Sequence, residues 1–216
     1  MKRVLLVIAV VAFVTIPRPA AAQFLGMPLW NSPKGGTGIT FNGDLGMPNE
    51  NSGKGTAFGG RVTLGFANIA LTGGLASWKP DTASESFSSV GGNVAFRIVG
   101  GSLLPIALNL QLGGARVAAA NSVPGQTRLT AAAGASVGLP TPGISIEPYL
   151  ALGNRWTLTE GGGTDSNFGW TLGANLGFGG MFGFHIAYDV EAADGGVSNN
   201  VIGMGVHISL KAPIGM

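Results

Sequence analysis

Eight charged residues lie at alternate positions within otherwise apolar or glycine-rich segments of this 216-residue chain. Acids and arginines are equal in number, so the set is nearly neutral. An unpaired charge is costly to bury, and such residues therefore either form ion pairs or line a passage that selects ions or small solutes. Ion pairing is the simpler interpretation, and the selective constriction is the alternative. The eight are Asp44, Arg61, Arg97, Arg128, Glu147, Arg155, Asp189 and Glu191.

The two histidines of the chain, His185 and His207, fall on the same parity as these charges in neighbouring segments. With Asp189 or Glu191 they are candidates for a metal site or a proton-transfer pair. However, four strand residues separate His185 from Asp189, which is about 13 Å at ~3.3 Å per residue. Two histidines without a close third ligand are weak support for zinc. We predict no metal and no cofactor, and expect a structural or mildly pH-responsive role.

Catalytic groups are sparse in the polar connecting segments, which contain neither histidine nor cysteine. Ser84, Ser86 and Ser122 have no base near them in sequence that could activate a nucleophile. Acidic residues are scattered over several of these segments, as solvated loop residues usually are. We therefore predict that the protein is not an enzyme.

The segments that carry the charged residues alternate with a period of two, which is typical of β-strands. Residues 168–178 show it best, with large apolar side chains opposite Gly, Thr and Asn. Residues 69–78 fit least, because Trp78 falls on the polar parity, and Pro148 predicts a bulge or a shortened strand. Ten strands are predicted, with eight as the fallback, within residues 39–47, 58–66, 69–78, 90–98, 106–113, 128–139, 144–156, 168–178, 182–191 and 202–210.

The connections alternate in length, and aromatic rings cluster near the strand ends. Longer polar loops (48–54, 79–87, 118–126, 158–166 and 192–199) alternate with tight turns, as in outer-membrane barrels with outer loops and inner turns. A soluble sandwich also alternates, but its outer face needs more charge than this chain offers. The rings form a predicted girdle: Trp156, Phe168, Trp170 and Tyr188 at the outer rim, and Phe66, Phe96, Phe178 and Phe182 at the inner rim.

The composition and the N-terminal residues indicate an exported, charge-poor protein. Charged residues are 10% of the chain, against about 25% in ordinary globular proteins. Residues 1–22 combine a basic start, an apolar run and an alanine triplet, and this order predicts a secretory signal peptide. Its removal leaves nine basic and ten acidic residues, which gives no support to nucleic-acid binding. With no cysteine, disulfides and thiolate metal sites are excluded.

Over residues 37–210 the chain resembles the broad class of small bacterial outer-membrane β-barrel proteins. The final strand, residues 205–210, is similar to the glycine-then-alternating-apolar ending that the assembly machinery of this class recognises. It departs from the class in ending on Leu210 instead of an aromatic residue, and in the tail 211–216. The resemblance implies a transmembrane antiparallel up-and-down β-barrel in the outer membrane, with the lipid bilayer and the assembly machinery as partners.

These observations predict four regions: a signal peptide (1–22), an irregular periplasmic segment (23–36) that is also a candidate partial plug, a transmembrane barrel (37–210) and a tail (211–216). The function expected is that of a non-catalytic structural or narrow-pore outer-membrane protein. A solute channel or a binder of small apolar molecules is the alternative. A surface adhesin acting through its outer loops is the third possibility. The sequence names no solute.

Overall fold

The fold is known from a computed structural model, which describes residues 24–28, 32, 36–100, 104–120, 123–192 and 196–210. The predicted signal peptide and C-terminal tail lie outside the described residues. Within the described ranges, no helix is long and apolar enough to cross a membrane.

The described residues form one closed antiparallel sheet. Consecutive strands pair with each other, except that β6 (Gln126–Val137) and β7 (Leu139–Thr141) do not. Strand β6 pairs instead with β8 (Ile144–Thr159), and β1 (Gly38–Pro48) closes the sheet by pairing with β11 (Ser198–Leu210). The short β7 continues β6 beyond Gly138, so ten strands surround the interior and the ten-strand prediction is confirmed. The strands are β1 (Gly38–Pro48), β2 (Thr56–Phe66), β3 (Ile69–Lys79), β4 (Phe87–Val99), β5 (Ile106–Val117), β6 (Gln126–Val137), β7 (Leu139–Thr141), β8 (Ile144–Thr159), β9 (Thr164–Phe178), β10 (Phe182–Ala192) and β11 (Ser198–Leu210).

Two expectations about individual strands are corrected. Strand β8 runs through Pro148, which lies opposite Ala174, and the register shift falls instead in β4 between Arg97 and Val99. Strands β8 and β9 extend beyond the apolar alternation, so that the predicted loop 158–166 shrinks to residues 160–163. Backbone pairing needs no apolar side chains, and these strand ends carry Thr, Asp, Ser and Asn where the alternation stops.

The two faces of the barrel differ in chemistry. The outward parity is apolar, with Leu75 at 65%, Phe58 at 63% and Leu112 at 63% exposure among many large exposed side chains. The inward parity carries the charged and small residues. Because none of the described residues covers this extensive apolar face, the exterior suits the hydrocarbon of a bilayer. We call the end with the connections after β1, β3, β5, β8 and β10 the loop end, and the opposite end the turn end.

Candidate functional site

The middle of the barrel interior holds a hydrogen-bonded triad formed by Asp44, Arg61 and His185. Arg61 donates from Nε and Nη2 to the two carboxylate oxygens of Asp44, both at 2.7 Å. His185 Nε2 lies 2.6 Å from Asp44 Oδ1. Asp44 and His185 come from β1 and β10, and the residue between them on β11 is Gly205. Because glycine has no side chain, the imidazole crosses over β11 and reaches the carboxylate directly.

His207 lies beside this triad and does not complete a metal site. Its ring stacks on that of His185 at 5.9 Å between centroids with an interplanar angle of 18°. Within the described part of the chain, no group of three His, Cys, Asp or Glu side chains is arranged to hold a metal ion. The carboxylate that His185 contacts is Asp44, which is not one of the two candidates, Asp189 and Glu191, that the sequence offers for the histidines.

Towards the loop end lies a second set of charges, which we call the loop-end cluster: Arg128, Arg155, Asp189 and Glu191. Arg155 binds Asp189 Oδ1 at 2.9 Å and Glu191 Oε2 at 3.2 Å. Arg128 reaches the same Glu191 oxygen at 2.5 Å. Arg155 and Asp189 are each 2% exposed, so these charges are removed from water and held by one another.

The two remaining predicted charges lie apart from both groups. Glu147 is buried and accepts a hydrogen bond from Ser32 at 2.5 Å between Oγ and Oε1. Arg97 lies at the turn end, where it donates to the Ala67 carbonyl oxygen at 2.8 Å and to Asn68 Oδ1 at 3.1 Å. The structure therefore brings eight of the ten predicted interior residues into two groups, the triad with the stacked His207 and the loop-end cluster. Glu147 and Arg97 belong to neither group.

Glycines on neighbouring strands make room for the large interior groups. Gly173 lies directly across from Tyr149, and a Cβ there would collide with the phenol ring. Gly183 stands in the same relation to His207. Glycine thus serves here less for backbone freedom than for the volume that its missing side chain leaves. The glycines therefore allow the interior to hold these large side chains.

Residues before β1 enter the interior. We use the name inner segment for the described residues Phe24–Pro28, Ser32 and Gly36. Phe24 and Met27 are buried against Ala57 and Ala76 on the inward face of β2 and β3, and Leu25 N donates to Ser89 Oγ at 3.2 Å. The composition of 23–36 favoured a periplasmic position, with a partial plug as the other possibility. In the described residues of this range, the side chains of Phe24 and Met27 lie against a buried surface inside the barrel.

A cavity of about 700 Å³ occupies the turn-end half of the interior. Phe24, Met27 and Pro28 of the inner segment bound it on one side, and it extends to Ser209 near the end of β11. The triad and His207 also line it. A volume of this size is within the range of small-molecule sites.

Most rings of the predicted girdle lie on the outer surface. Phe66, Phe168 and Phe182 are more than half exposed, and Phe96, Phe178 and Tyr188 are somewhat less so. Trp156 and Trp170 are partly covered, and Trp170 meets Tyr188 edge to face at 5.8 Å. Phe66 and Phe182 border tight turns, whereas Phe168 lies near the loop end.

Comparisons with known proteins found structural neighbours but no family model and no curated relative. The chain is similar in structure to the N-terminal β-barrel domain of Pseudomonas aeruginosa OprF (TM-score 0.36, 10% identity, 81% of this chain and 100% of that one). It is also similar to Ail of Yersinia pestis (0.37, 14%, 82% and 99%) and to Neisserial surface protein A (0.36, 12%, 80% and 96%). These neighbours are bacterial outer-membrane β-barrels, while the fold itself rests on the strand pairing described above.

Proposed function

We propose that the protein is a non-catalytic outer-membrane β-barrel whose interior is closed to solutes while the inner segment is in place. In this proposal residues 1–22 direct export, and the last strand, β11, is recognised by the outer-membrane assembly machinery. The apolar exterior supports the membrane location because lipid is the environment that such a surface requires.

The burial of side chains on both sides of the interior supports the closed state. In the loop-end half, Arg155 and Asp189 are 2% exposed and Thr171 is fully buried. Across the interior from them, Phe24 and Met27 of the inner segment are also buried. A water-filled path would leave at least one of these sides hydrated. This arrangement favours the structural interpretation over a constitutively open, charge-selective constriction.

The test is the conductance of the refolded chain, lacking residues 1–22, in planar bilayers. Folding and insertion are verified first by the heat-dependent gel migration of barrels. We expect no steady conductance. Steady conductance of the folded protein would refute the closed state, and a change in its ion selectivity in Arg97→Ala or Glu147→Ala would then support the channel alternative.

A further inference from the structure

The wall behind the inner segment is built mainly from small residues, with the ring of Trp78 on β3 as a large exception. These inward positions come from β1, β2, β3, β4 and β11, and the residues are Gly46, Ala57, Gly59, Ala76, Ser89 and Gly203. A Cβ at Gly46 would overlap the Gly26 carbonyl oxygen, and one at Gly203 would overlap the Pro28 ring. The segment therefore occupies volume that wall side chains leave free.

The opposite wall is different, since its interior volume is filled by its own side chains. Arg155 and Gln111 are among the largest fully buried side chains of the described residues, and Arg128 and Tyr149 also point inward. The small residues on the segment's side cannot reach across the space that the segment occupies. If the segment left, an open channel would run along the inward faces of β1–β4 and β11.

This channel would join the existing cavity. Phe24, Met27 and Pro28 border the small-residue wall and also line the 700 Å³ cavity in the turn-end half. The described backbone of residues 24–28 forms no strand, so no ladder of sheet hydrogen bonds holds it. The contacts described for it are the burial of Phe24 and Met27 against the wall and the hydrogen bond from Leu25 N to Ser89 Oγ.

We propose that the inner segment is a displaceable plug, and that its departure turns the barrel into a passage for small neutral polar solutes. This inference rests on the proposed closed state of the full chain. The solute class follows from the wall: Asp44 is neutralised by Arg61, and the loop-end cluster is internally paired. One base and one acid, Arg97 and Glu147, balance each other in number on the remaining cavity wall. Its other polar side chains include uncharged hydroxyl and amide groups, namely Thr40, Asn42, Thr63, Asn175 and Ser209.

The first test compares the full chain with a chain lacking residues 24–36, each folded and inserted in planar bilayers. We expect the full chain to be silent and the shortened chain to conduct. The reversal potential in a salt gradient should show less than about a threefold preference between cation and anion, because acidic side chains and arginines are equal in number along the interior wall. A folded, silent shortened chain would overturn the plug, whereas conductance of the full chain would instead overturn the closed state. Strong ion selectivity would overturn the solute class.

If the shortened chain fails to fold, the full-length Phe24→Ser/Met27→Ser variant provides the test. Loss of two apolar anchors should raise the open fraction roughly a hundredfold, since each loss weakens docking by about tenfold or more. Adding Leu25→Cys and Ser89→Cys to the same variant permits a reversible tether of the segment to β4. Openings should vanish on oxidation and return on reduction. Openings that are absent before oxidation, or that persist after it, would refute the proposal.

Discussion

Replacing Arg155 with Met should destabilise the barrel far more than the same change at an exposed arginine. Arg155 holds Asp189 at 2.9 Å and Glu191 at 3.2 Å inside the loop-end cluster. Methionine fills similar volume but leaves two buried carboxylates without this cation. Arg128 still pairs with Glu191, so the larger electrostatic loss falls on Asp189. Removing one partner from a buried ion pair costs about 3–5 kcal/mol.

The matched control is Arg116→Met, because Arg116 pairs with Glu160 near the loop end but is 37% exposed, with Glu160 at 54%. An exposed pair contributes at most about 1 kcal/mol. The measurement is urea unfolding of the refolded barrels in detergent micelles, followed by tryptophan fluorescence. We expect the free energy of unfolding to fall by about 3–5 kcal/mol in Arg155→Met, and by no more than about 1 kcal/mol in Arg116→Met.

A second variant separates charge from packing. Arg155→Met/Asp189→Asn removes the carboxylate that the single variant leaves without its guanidinium, and it should recover most of the lost free energy of unfolding. Equal losses in Arg155→Met and Arg116→Met, or no recovery in the double variant, would mean that the loop-end cluster is hydrated. The reasoning that the interior is closed would then fail.

Two further variants test the filled interior and the lipid-facing exterior. Gly173→Val should lower the free energy of unfolding by about 1–3 kcal/mol, because its side chain collides with the buried ring of Tyr149. Gly163→Val, in open space, should change it little in the same urea titration, and equal effects would contradict this packing. Leu112→Arg should cost about 2–4 kcal/mol in lipid vesicles because it faces the hydrocarbon, whereas Val197→Arg in a loop should be near neutral. A tolerated Leu112→Arg would place β5 outside the bilayer.

The sequence was sufficient to predict the strand number and the inward parity because lipid imposes a period-two pattern wherever a strand crosses hydrocarbon. That requirement ends at the bilayer surface. Residues 164–167 pair as part of β9 although their side chains no longer alternate. The alternation of apolar side chains therefore predicts loops where the strand ends continue beyond the apolar belt.

The ion partners could not be predicted because they depend on which strands become neighbours and on what lies between them. His185 and Asp44 are far apart in sequence and meet only because the barrel closes through β11 with Gly205 between them. Distances along one strand, the only ones available from the sequence, show that Asp189 is too far from His185 for contact but do not reveal Asp44 as its partner.

One feature of the sequence indicates the position of the inner segment: Trp78 lies on the polar parity of its strand. In the structure this ring faces inward and packs against the cluster of Phe24 and Met27. A large apolar side chain on the polar parity of a barrel strand requires an apolar partner inside the barrel. Read in this way, Trp78 together with the apolar residues before β1 predicts an occupied interior.

The position of the inner segment is tested most directly by disulfide formation in the full chain, which contains no cysteine of its own. Leu25→Cys/Ser89→Cys joins positions whose backbone nitrogen and side-chain oxygen lie 3.2 Å apart. Leu25→Cys/Ser136→Cys, with Ser136 buried on the inward face of β6, is the control. In the folded, membrane-inserted protein we predict rapid oxidation of the first pair and little of the second. A first pair that stays reduced, or equal oxidation of both, would contradict a barrel closed by its own N-terminal residues.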